Sequence, residues 1–273
     1  MIDTHVHLFS DPDDPLFPIH PAAPYQPKVG FGPDQLKALM PEAGIEGVVL
    51  VHPEPYQDDH RWLIHCLDAL PLISRGICHF FPQNPDTPGR IRAIAKDPRI
   101  VGVRLHAYAP ERLPPLDLDT LASFWSAADD AGLLVQLHLE PRYAPAFLPI
   151  LERFPHVRVV IDHCGRPLQG TPEEFERIIA WSCFPQTHMK LSMLTPRDQY
   201  PHRDIRPFVK QIWDSFGPER LLFGATVPSV SPAEVLAHKK RLLALLEPVG
   251  QAEIMKILEN NARKLFGFVD AFR

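Results

Sequence analysis

Histidines stand at the ends of short apolar runs along this chain. The first run, IDTHVHL, carries His5 and His7 two residues apart. Alternate residues of a strand lie on one face, so these two imidazoles are close enough to bind one cation. Neutral imidazole is a preferred ligand of Zn²⁺ and similar divalent metals. The later histidines at or just beyond such runs are His52, His79, His106, His138 and His163.

A third histidine, His138, completes a candidate metal site with His5 and His7. Three protein ligands leave a coordination position open for water or substrate. A divalent metal there, zinc by preference, lowers the pKa of bound water toward ~7 and polarises a carbonyl. A single histidine at a strand end is more often a structural side chain, but a series of strands that end this way favours a functional site.

The elements that must position these histidines are eight strand-like runs separated by helical patterns. This alternation predicts a parallel sheet, and eight units without a break in composition predict one α/β domain over 1–273, a closed (β/α)8 TIM barrel. An open doubly wound sheet would need a glycine-rich first turn, which HVHLFSDP lacks. The predicted strands are Ile2–His7, Gly47–His52, Gly76–Phe80, Val101–His106, Leu133–Leu139, Val157–Ile161, His188–Leu191 and Leu221–Gly224.

Residues of one parity in such a barrel face its interior, and active sites form where the strands end. Among the inward residues Arg104 and Lys190 are cationic, and Arg166 follows the sixth strand. These cations favour a small anionic substrate that carries a carboxylate, although ion pairs with nearby acids are the alternative. The predicted inward set is Asp3, His5, His7, Gly102, Arg104, His106, Tyr108, Gln136, His138, Glu140, His188, Lys190 and Ser192.

A proline-rich loop interrupts the pattern after the first strand. Prolines at 12, 15, 18, 21, 24 and 27 predict an extended, polyproline-like path. The loop leaves from the mouth of the barrel. Two interpretations are equally open at this point, a lid over the active-site face or a plain surface excursion.

Helical patterns follow the strands, with recognisable starts near Asp58, Asp119 and Thr171. The last of these combines a capping hydroxyl with Pro172 and acids in the first turn. The C-terminal stretch AEIMKILENNARKLFGF has helical periodicity and is expected to close the bottom or flank of the barrel.

Composition narrows the functional class. A net charge of −5 and a pI near 6.3, without a basic block, argue against nucleic acid or an acidic membrane as partner. No apolar run reaches the ~20 residues of a membrane span. The N-terminus lacks the pattern of a signal peptide, and four cysteines without C-x-x-C spacing favour reduced thiols, so we expect a cytoplasmic protein. A homodimer is one option for its assembly.

Seven motifs in order resemble the amidohydrolase superfamily over nearly the whole chain: DTHVHLF, GVRLHAY, VQLHLE, VIDHCGRP, MKLS, RLLFG and NARKLFGF. The closest resemblance is to the amidohydrolase 2 branch, which includes sugar-acid lactonases, 2-pyrone-4,6-dicarboxylate lactonase and aromatic-acid decarboxylases. The resemblance implies that His5 and His7 are the first-strand metal ligands, that His138 is the fifth-strand histidine, and that His163 contacts water or substrate. It also implies that some lactonases of the branch work without a tightly held metal.

The chain departs from the family at the end of the eighth strand. The family pattern there is Gly-Ser-Asp-Trp-Pro, whose aspartate binds metal and accepts a proton from water. This chain has Gly224-Ala225-Thr226-Val227-Pro228, so Thr226 replaces the aspartate. A hydroxyl cannot act as a general base near neutral pH, but it can hydrogen-bond a substrate.

These patterns predict a hydrolase of a small carboxylate-bearing lactone or related carbonyl compound. We expect a divalent metal on His5, His7 and His138, with His163 and Glu140 in catalytic roles. The alternatives are a metal-independent lactonase, a decarboxylase-like lyase of the same fold, and an inactive ligand-binding homologue. The predicted substrate-binding residues are His52, Arg104, His106, Arg166, Lys190 and Thr226.

Overall fold

Eight parallel strands form one sheet in a computed structural model that describes residues 1–110, 113–225 and 231–268. They pair in chain order from the first to the eighth. Thr4 Oγ1 donates to Phe223 O at 2.7 Å and so joins the first strand to the last. The predicted (β/α)8 barrel is confirmed. The strands are β1 (Ile2–Val6), β2 (Gly47–Val51), β3 (Ser74–His79), β4 (Ile100–Ala107), β5 (Leu134–Leu139), β6 (Val159–Ile161), β7 (Thr187–Leu191) and β8 (Leu221–Phe223).

Helices surround this sheet. Ten α-helices lie in the described ranges, together with a π-helical turn at Lys256–Asn260. None of these described helices has the length and apolar character needed to cross a membrane. They are α1 (Pro33–Ala43), α2 (Arg61–Ala69), α3 (Thr87–Ile94), α4 (Leu118–Asp130), α5 (Ala144–Arg153), α6 (Pro172–Ile179), α7 (Arg206–Phe216), α8 (Pro232–Leu245), α9 (Gln251–Met255) and α10 (Asn261–Phe266).

Local capping explains where two predicted helices begin. Thr171 caps α6 as expected, because its hydroxyl accepts from Glu174 N at 3.2 Å and the Glu174 carboxylate accepts from Thr171 N at 2.9 Å. Helix α4 begins one residue before the predicted Asp119. Asp117 is its cap, since the Asp117 carboxylate accepts from Thr120 N at 2.9 Å.

The apolar core has two parts. The larger part lies between the sheet and the helices, and the smaller part fills the lower half of the barrel. Leu265 and Phe266 of α10 pack against this inner part. The C-terminal stretch therefore closes the bottom of the barrel, as predicted. The strand residues of the inner part are Ile2, Val49, Val51, Ile77, Leu134, Val160 and Leu222.

A β-bulge in β1 overturns one inward assignment. The register between β1 and β2 shifts between Asp3 and Val6, so the alternation of side chains changes sides within the strand. Ile2 faces the interior, whereas the Asp3 carboxylate accepts from His5 N and Ala225 N, each at 3.0 Å. The prediction that Asp3 faces inward is wrong because strict alternation does not survive an extra residue.

The proline-rich loop lies against one side of the barrel mouth. An antiparallel bridge between Phe9 and Phe31 closes it at its base. The Phe17 ring packs on Trp62, with ring centroids 5.0 Å apart. Ala22 and Pro24 line a cavity at the ends of β3 and β4. The loop therefore forms part of the wall of that cavity.

Candidate active site

His5 and His7 form a close pair at the end of β1. Their Nε2 atoms are 3.2 Å apart. His7 Nδ1 lies 2.7 Å from Val51 O, a pure acceptor, so Nδ1 carries the proton and Nε2 presents a lone pair. Such a bond from the far ring nitrogen to a backbone carbonyl is typical of metal-ligating histidines.

His163 and His138 complete the group of imidazoles. The His163 ring centroid lies 4.6 Å from that of His5 and 4.9 Å from that of His138. His163 Nδ1 lies 2.9 Å from Ser192 Oγ, which also accepts from His163 N at 3.2 Å. His163 has positive φ, and a turn at the end of β6 directs it into the mouth. Four strand-end histidines thus converge, as the sequence predicted.

Arg166 contacts His138 directly. Its Nη1 donates to His138 Nε2 at 2.7 Å, and its guanidinium lies 5.0 Å from the centroid of the Tyr108 ring. Tyr108 stacks on His138 with centroids 4.4 Å apart. Since arginine stays protonated, this contact fixes a cation beside the histidine group.

Asp162 lies beneath the histidines, fully buried. It accepts from Arg104 Nε at 2.9 Å and from Gln136 Nε2 at 3.0 Å. Its other oxygen lies 3.4 Å from Lys190 Nζ and 3.4 Å from His5 Nδ1. Burial alone would raise the pKa of this carboxyl, but Lys190 and Arg104 hold it well below its usual range. Asp162 therefore stays ionised and anchors two buried cations.

Arg104 and Lys190, the two strand residues predicted to bind the substrate, are bound by protein groups. Arg104 is 3% exposed and pairs with Asp162. Lys190 is fully buried, donates to Thr4 O at 2.7 Å and to Gln136 Oε1 at 2.8 Å, and has a pKa that burial lowers to about 8. Both lie under the site, and Arg166 is the predicted cation placed at its surface.

Burial keeps the histidines of the site neutral. It is the main cause that lowers the pKa of His7 to about 4 and that of His163 to about 3, and the positive charge of Arg104 contributes to both shifts. The pKa values of His5 and His138 also lie well below the usual range because of burial. Neutral imidazoles suit metal binding, whereas a proton acceptor works best with a pKa near the working pH.

The remaining predicted residues are Glu140, His52, His106 and Thr226, and the described ones each lie in a different place. Glu140 is paired with Arg142 through Arg142 Nε at 2.7 Å. His52 is fully buried behind the site, with its ring 4.6 Å from that of His60. His106 lies beside His138, at 5.2 Å between centroids. Thr226 lies outside the described residues. The catalytic and binding roles assigned to these residues stay predictions.

Two of the three predicted metal ligands, His5 and His7, are spaced as a bound metal requires. Two nitrogens bound tetrahedrally at zinc–nitrogen distances lie about 3.3 Å apart, close to the His5–His7 spacing. His5, Asp162 and His163 each bring a ligand atom within 4.8 Å of one another. His138, the third predicted ligand, accepts from Arg166 instead. The possible ligands therefore fall into two sets that share His5, the His5–His7 pair on β1 and His5 with Asp162 and His163.

Two cavities open near His138, one lined by Arg166 and the other by Tyr108, and both of these residues contact that histidine. The first, here called the Arg166 cavity, has a volume of about 260 Å³. The second, here called the Glu54 cavity, has a volume of about 250 Å³. The lining of the Arg166 cavity includes His163, Arg166, Leu168, Met193, Pro201 and Ile205. The lining of the Glu54 cavity includes Glu54, Gln57, His79, Gln83, His106 and Tyr108.

Sequence reasoning missed the central role of Asp162, which it considered only as a possible ion-pair partner of the predicted cations. The alternation of side chains along β6 could have located it, because Val160 faces inward and Asp162 is two residues further on. It considered Glu54, which follows β2 after two residues, only as another such ion-pair partner and not as a partner of Tyr108 and His106. No local pattern marks these contacts, since His106 lies in β4 and Tyr108 just after it, about 50 residues away in sequence.

Known proteins share this architecture. The chain is 29% identical over 218 residues to an L-fucono-1,5-lactonase of Burkholderia ambifaria, covering 72% of this chain and 70% of that protein. A probable 2-pyrone-4,6-dicarboxylic acid hydrolase of Acinetobacter baumannii, solved with citric acid bound, superposes with a TM-score of 0.78 at 23% identity, covering 98% of this chain and 99% of that one. An amidohydrolase of Burkholderia multivorans with bound zinc gives 0.74 at 18% identity, covering 97% and 98%.

The family is shown by the extent of the sequence match. The amidohydrolase family profile matches residues 2–268. That range runs from the first strand, with its histidine pair, to the helix that closes the barrel floor. With the ordered motifs and the histidine-lined barrel mouth, this match places the chain in the amidohydrolase family, in its amidohydrolase 2 branch.

Proposed function

We propose that this protein hydrolyses a small lactone whose ring carries or releases a carboxylate at the Arg166 cavity. The observation that carries the proposal is the convergence of neutral His5, His7 and His163 beside the Arg166 cation. The curated relative that covers most of this chain is a lactonase. In the reaction, water adds to the lactone carbonyl, the ring C–O bond breaks and the ring oxygen takes up a proton.

Each residue of the site has a physical role in this proposal. Arg166, at the surface of the site, attracts the carboxylate of the substrate and of the hydroxy acid that hydrolysis produces. His163, held by Ser192, orients the attacking water. Asp162 keeps Lys190 and Arg104 in place below, so the floor of the site is rigid and charged.

A divalent metal fits the histidine pair of β1. His5 and His7 would hold it, and His5 also belongs to a second set of possible ligands with Asp162 and His163. When bound, it would polarise the lactone carbonyl and lower the pKa of a water. The zinc-containing amidohydrolase of Burkholderia multivorans supports this assignment. The alternative is a metal-independent lactonase, in which histidines and Arg166 alone contact the carbonyl and carboxylate.

Metal analysis separates these two versions. Protein purified without chelator is expected to contain close to one divalent metal per chain, and the variant His5→Ala is expected to lose it. The matched control is His156→Ala, which removes an exposed histidine paired with Asp129 and leaves the metal content unchanged. Absence of metal together with activity that resists chelators would establish the metal-independent version.

Turnover separates an enzyme from a binding protein. A panel of lactones and aromatic acids is incubated with the protein, and products are followed by acid release and by carbon dioxide release. We expect acid release from lactones. Carbon dioxide from aromatic acids would instead favour the decarboxylase-like alternative, and binding by calorimetry without any product would favour the inactive homologue. A small anionic substrate, the cytoplasm as location and a homodimer are also part of the proposal.

A further inference from the structure

The outer wall of the Arg166 cavity is a part of the site to which the proposed chemistry gives no role. Two loops form this wall, one after β6 and the other after β7. Arg203, in the second loop, donates from Nη1 to Leu168 O at 3.1 Å, so the second loop is fastened to the first. The cavity is therefore a cleft between two linked loops. The apolar residues that line it are Pro167, Leu168, Met193, Pro201 and Ile205.

Two of the polar side chains that line this cavity are bonded within their own loops. Gln169 Oε1 accepts from Arg166 Nε, and Thr195 Oγ1 donates to Met193 O at 3.3 Å. Tyr200, a third polar side chain of the lining, is largely exposed and lies at the rim. Apolar side chains are therefore the main contribution of the two loops to the described lining.

Met193 occupies a strained position in this wall. Its φ is 51°, in the left-handed region, which side chains other than asparagine and aspartate adopt rarely. Its carbonyl accepts from Thr195 N at 2.8 Å, which holds the turn. The side chain is 44% exposed although it is large and apolar. Strain of this kind clusters at functional sites, and a methionine side chain adapts to ligands of different shapes.

His163 joins the apolar wall to the reaction centre. It lines the same cavity, and its ring centroid lies 4.6 Å from that of His5. In the proposed hydrolysis His163 orients the water that attacks the lactone carbonyl, so a group that enters the cavity is attached close to that carbonyl. The volume of about 260 Å³ is below the ~300 Å³ at which pockets for drug-sized ligands begin, which suits one substituent of a small substrate.

Resting on the proposed function, we propose that the apolar wall of the Arg166 cavity is a specificity subsite for an alkyl or aryl substituent next to the lactone carbonyl, with Met193 and Leu168 as the residues that select it. The selectivity comes from the removal of the apolar substituent from water. The preferred substrate is therefore a lactone that is apolar, rather than hydroxylated, beside its carbonyl.

The test compares two δ-lactones, the unsubstituted ring and the same ring with a butyl group on the carbon next to the carbonyl. We expect the wild type to have a KM at least about tenfold lower for the butyl lactone. Met193→Asn removes the apolar side chain and inserts one that tolerates the left-handed backbone, so the variant should remain as stable as the wild type. We expect it to raise KM for the butyl lactone about fivefold and KM for the unsubstituted lactone less than about twofold. Leu168→Ala is expected to act in the same direction.

Leu72→Asn is the matched control. Leu72 is also apolar, exposed and left-handed, with φ 71°, but it precedes β3 and so lies at the end of the barrel away from the mouth. This variant should leave both KM values unchanged. Urea denaturation shows whether each variant is as stable as the wild type.

Each result bears on the subsite. Equal KM values of the wild type for the two lactones, or equal changes on both lactones in Met193→Asn, would overturn it. An unchanged KM for the butyl lactone in both Met193→Asn and Leu168→Ala would do the same. If the wild type hydrolyses neither lactone, the wider lactone panel decides the proposed function, and calorimetry with the two ring-opened hydroxy acids decides the subsite. Tighter binding of the butyl acid that is weakened in Met193→Asn would support the subsite alone, while equal or absent binding would refute it.

Discussion

Asp162 shows how one buried carboxylate can organise a site at the scale of single residues. It lies fully buried between Arg104 and Lys190, and it also reaches His5. Without it, two cations would remain in a region from which water is excluded. Removing one partner of such a group costs more than the group itself contributes, because the remaining charge stays buried.

The first prediction follows from this pairing. Asp162→Asn retains the shape but removes the charge, so we expect the free energy of unfolding to fall by about 3–5 kcal/mol. The measurement is urea denaturation at neutral pH. Asp129→Asn, which removes a carboxylate paired with His156 at the surface, serves as the control and should change stability by less than about 0.5 kcal/mol. Equal effects of the two variants would contradict the central role of Asp162.

At the scale of elements, caps and a bulge decide details that position the site. The capping box of α6 begins directly after the loop that carries Arg166, so its start sets where that loop ends. The bulge in β1 turns Asp3 to the helix side and leaves His5 facing the interior. Both are local features with consequences at the barrel mouth.

The second prediction concerns the α6 cap. Thr171→Ala removes the side-chain oxygen that accepts from Glu174 N, so we expect a loss of about 1 kcal/mol in the free energy of unfolding. Thr171→Ser retains the oxygen and should lie within about 0.5 kcal/mol of the wild type. Urea denaturation checks both variants. A loss in the serine variant as large as in the alanine variant would show that the methyl group, rather than the cap, matters.

At the scale of the whole molecule, the fold buries many neutral histidines, both inside the barrel and beneath its helices. Burial lowers the pKa of each to about 3 or 4, while the same histidine in the unfolded chain titrates near 6.5. Asp3 acts in the opposite direction, since burial raises its pKa to about 6. The histidines with such lowered values are His7, His60, His163, His188 and His238.

The third prediction is a loss of stability in mild acid. Below pH ~6.5 the unfolded chain binds protons that the folded histidines do not take up until pH ~4, so the free energy of unfolding falls as the pH drops through this window. This contribution to the free energy of unfolding is fully retained above pH ~6.5. Each histidine contributes a slope of about 1.4 kcal/mol per pH unit.

Urea denaturation at a series of pH values between 7.5 and 5 measures this slope. His188 is a suitable probe because its ring bonds only the nearby Gln186 O, at 3.1 Å, among the contacts seen for it. His188→Gln should reduce the slope by about 1.4 kcal/mol per pH unit between pH 6 and 5. An unchanged slope would mean that His188 takes up its proton in the folded state.

The sequence by itself determined the barrel and the meeting of its histidines. Strand positions agree with the structure to within two residues at each end, because apolar runs and their alternation are local signals. Parallel strands that close into a barrel bring their carboxyl ends to one mouth, so His5, His7, His138 and His163 had to converge there.

Only the tertiary structure decided which groups those histidines and cations contact. Arg104 and Asp162 are 58 residues apart in sequence, and Tyr108 and Glu54 are 54 apart. Such pairings depend on the register between strands, and the bulge in β1 alone reverses the direction of Asp3. The engagement of His138 by Arg166 and the division of the mouth into two cavities arise in the same way. They follow from distances between chain segments, which the order of residues along each strand does not encode.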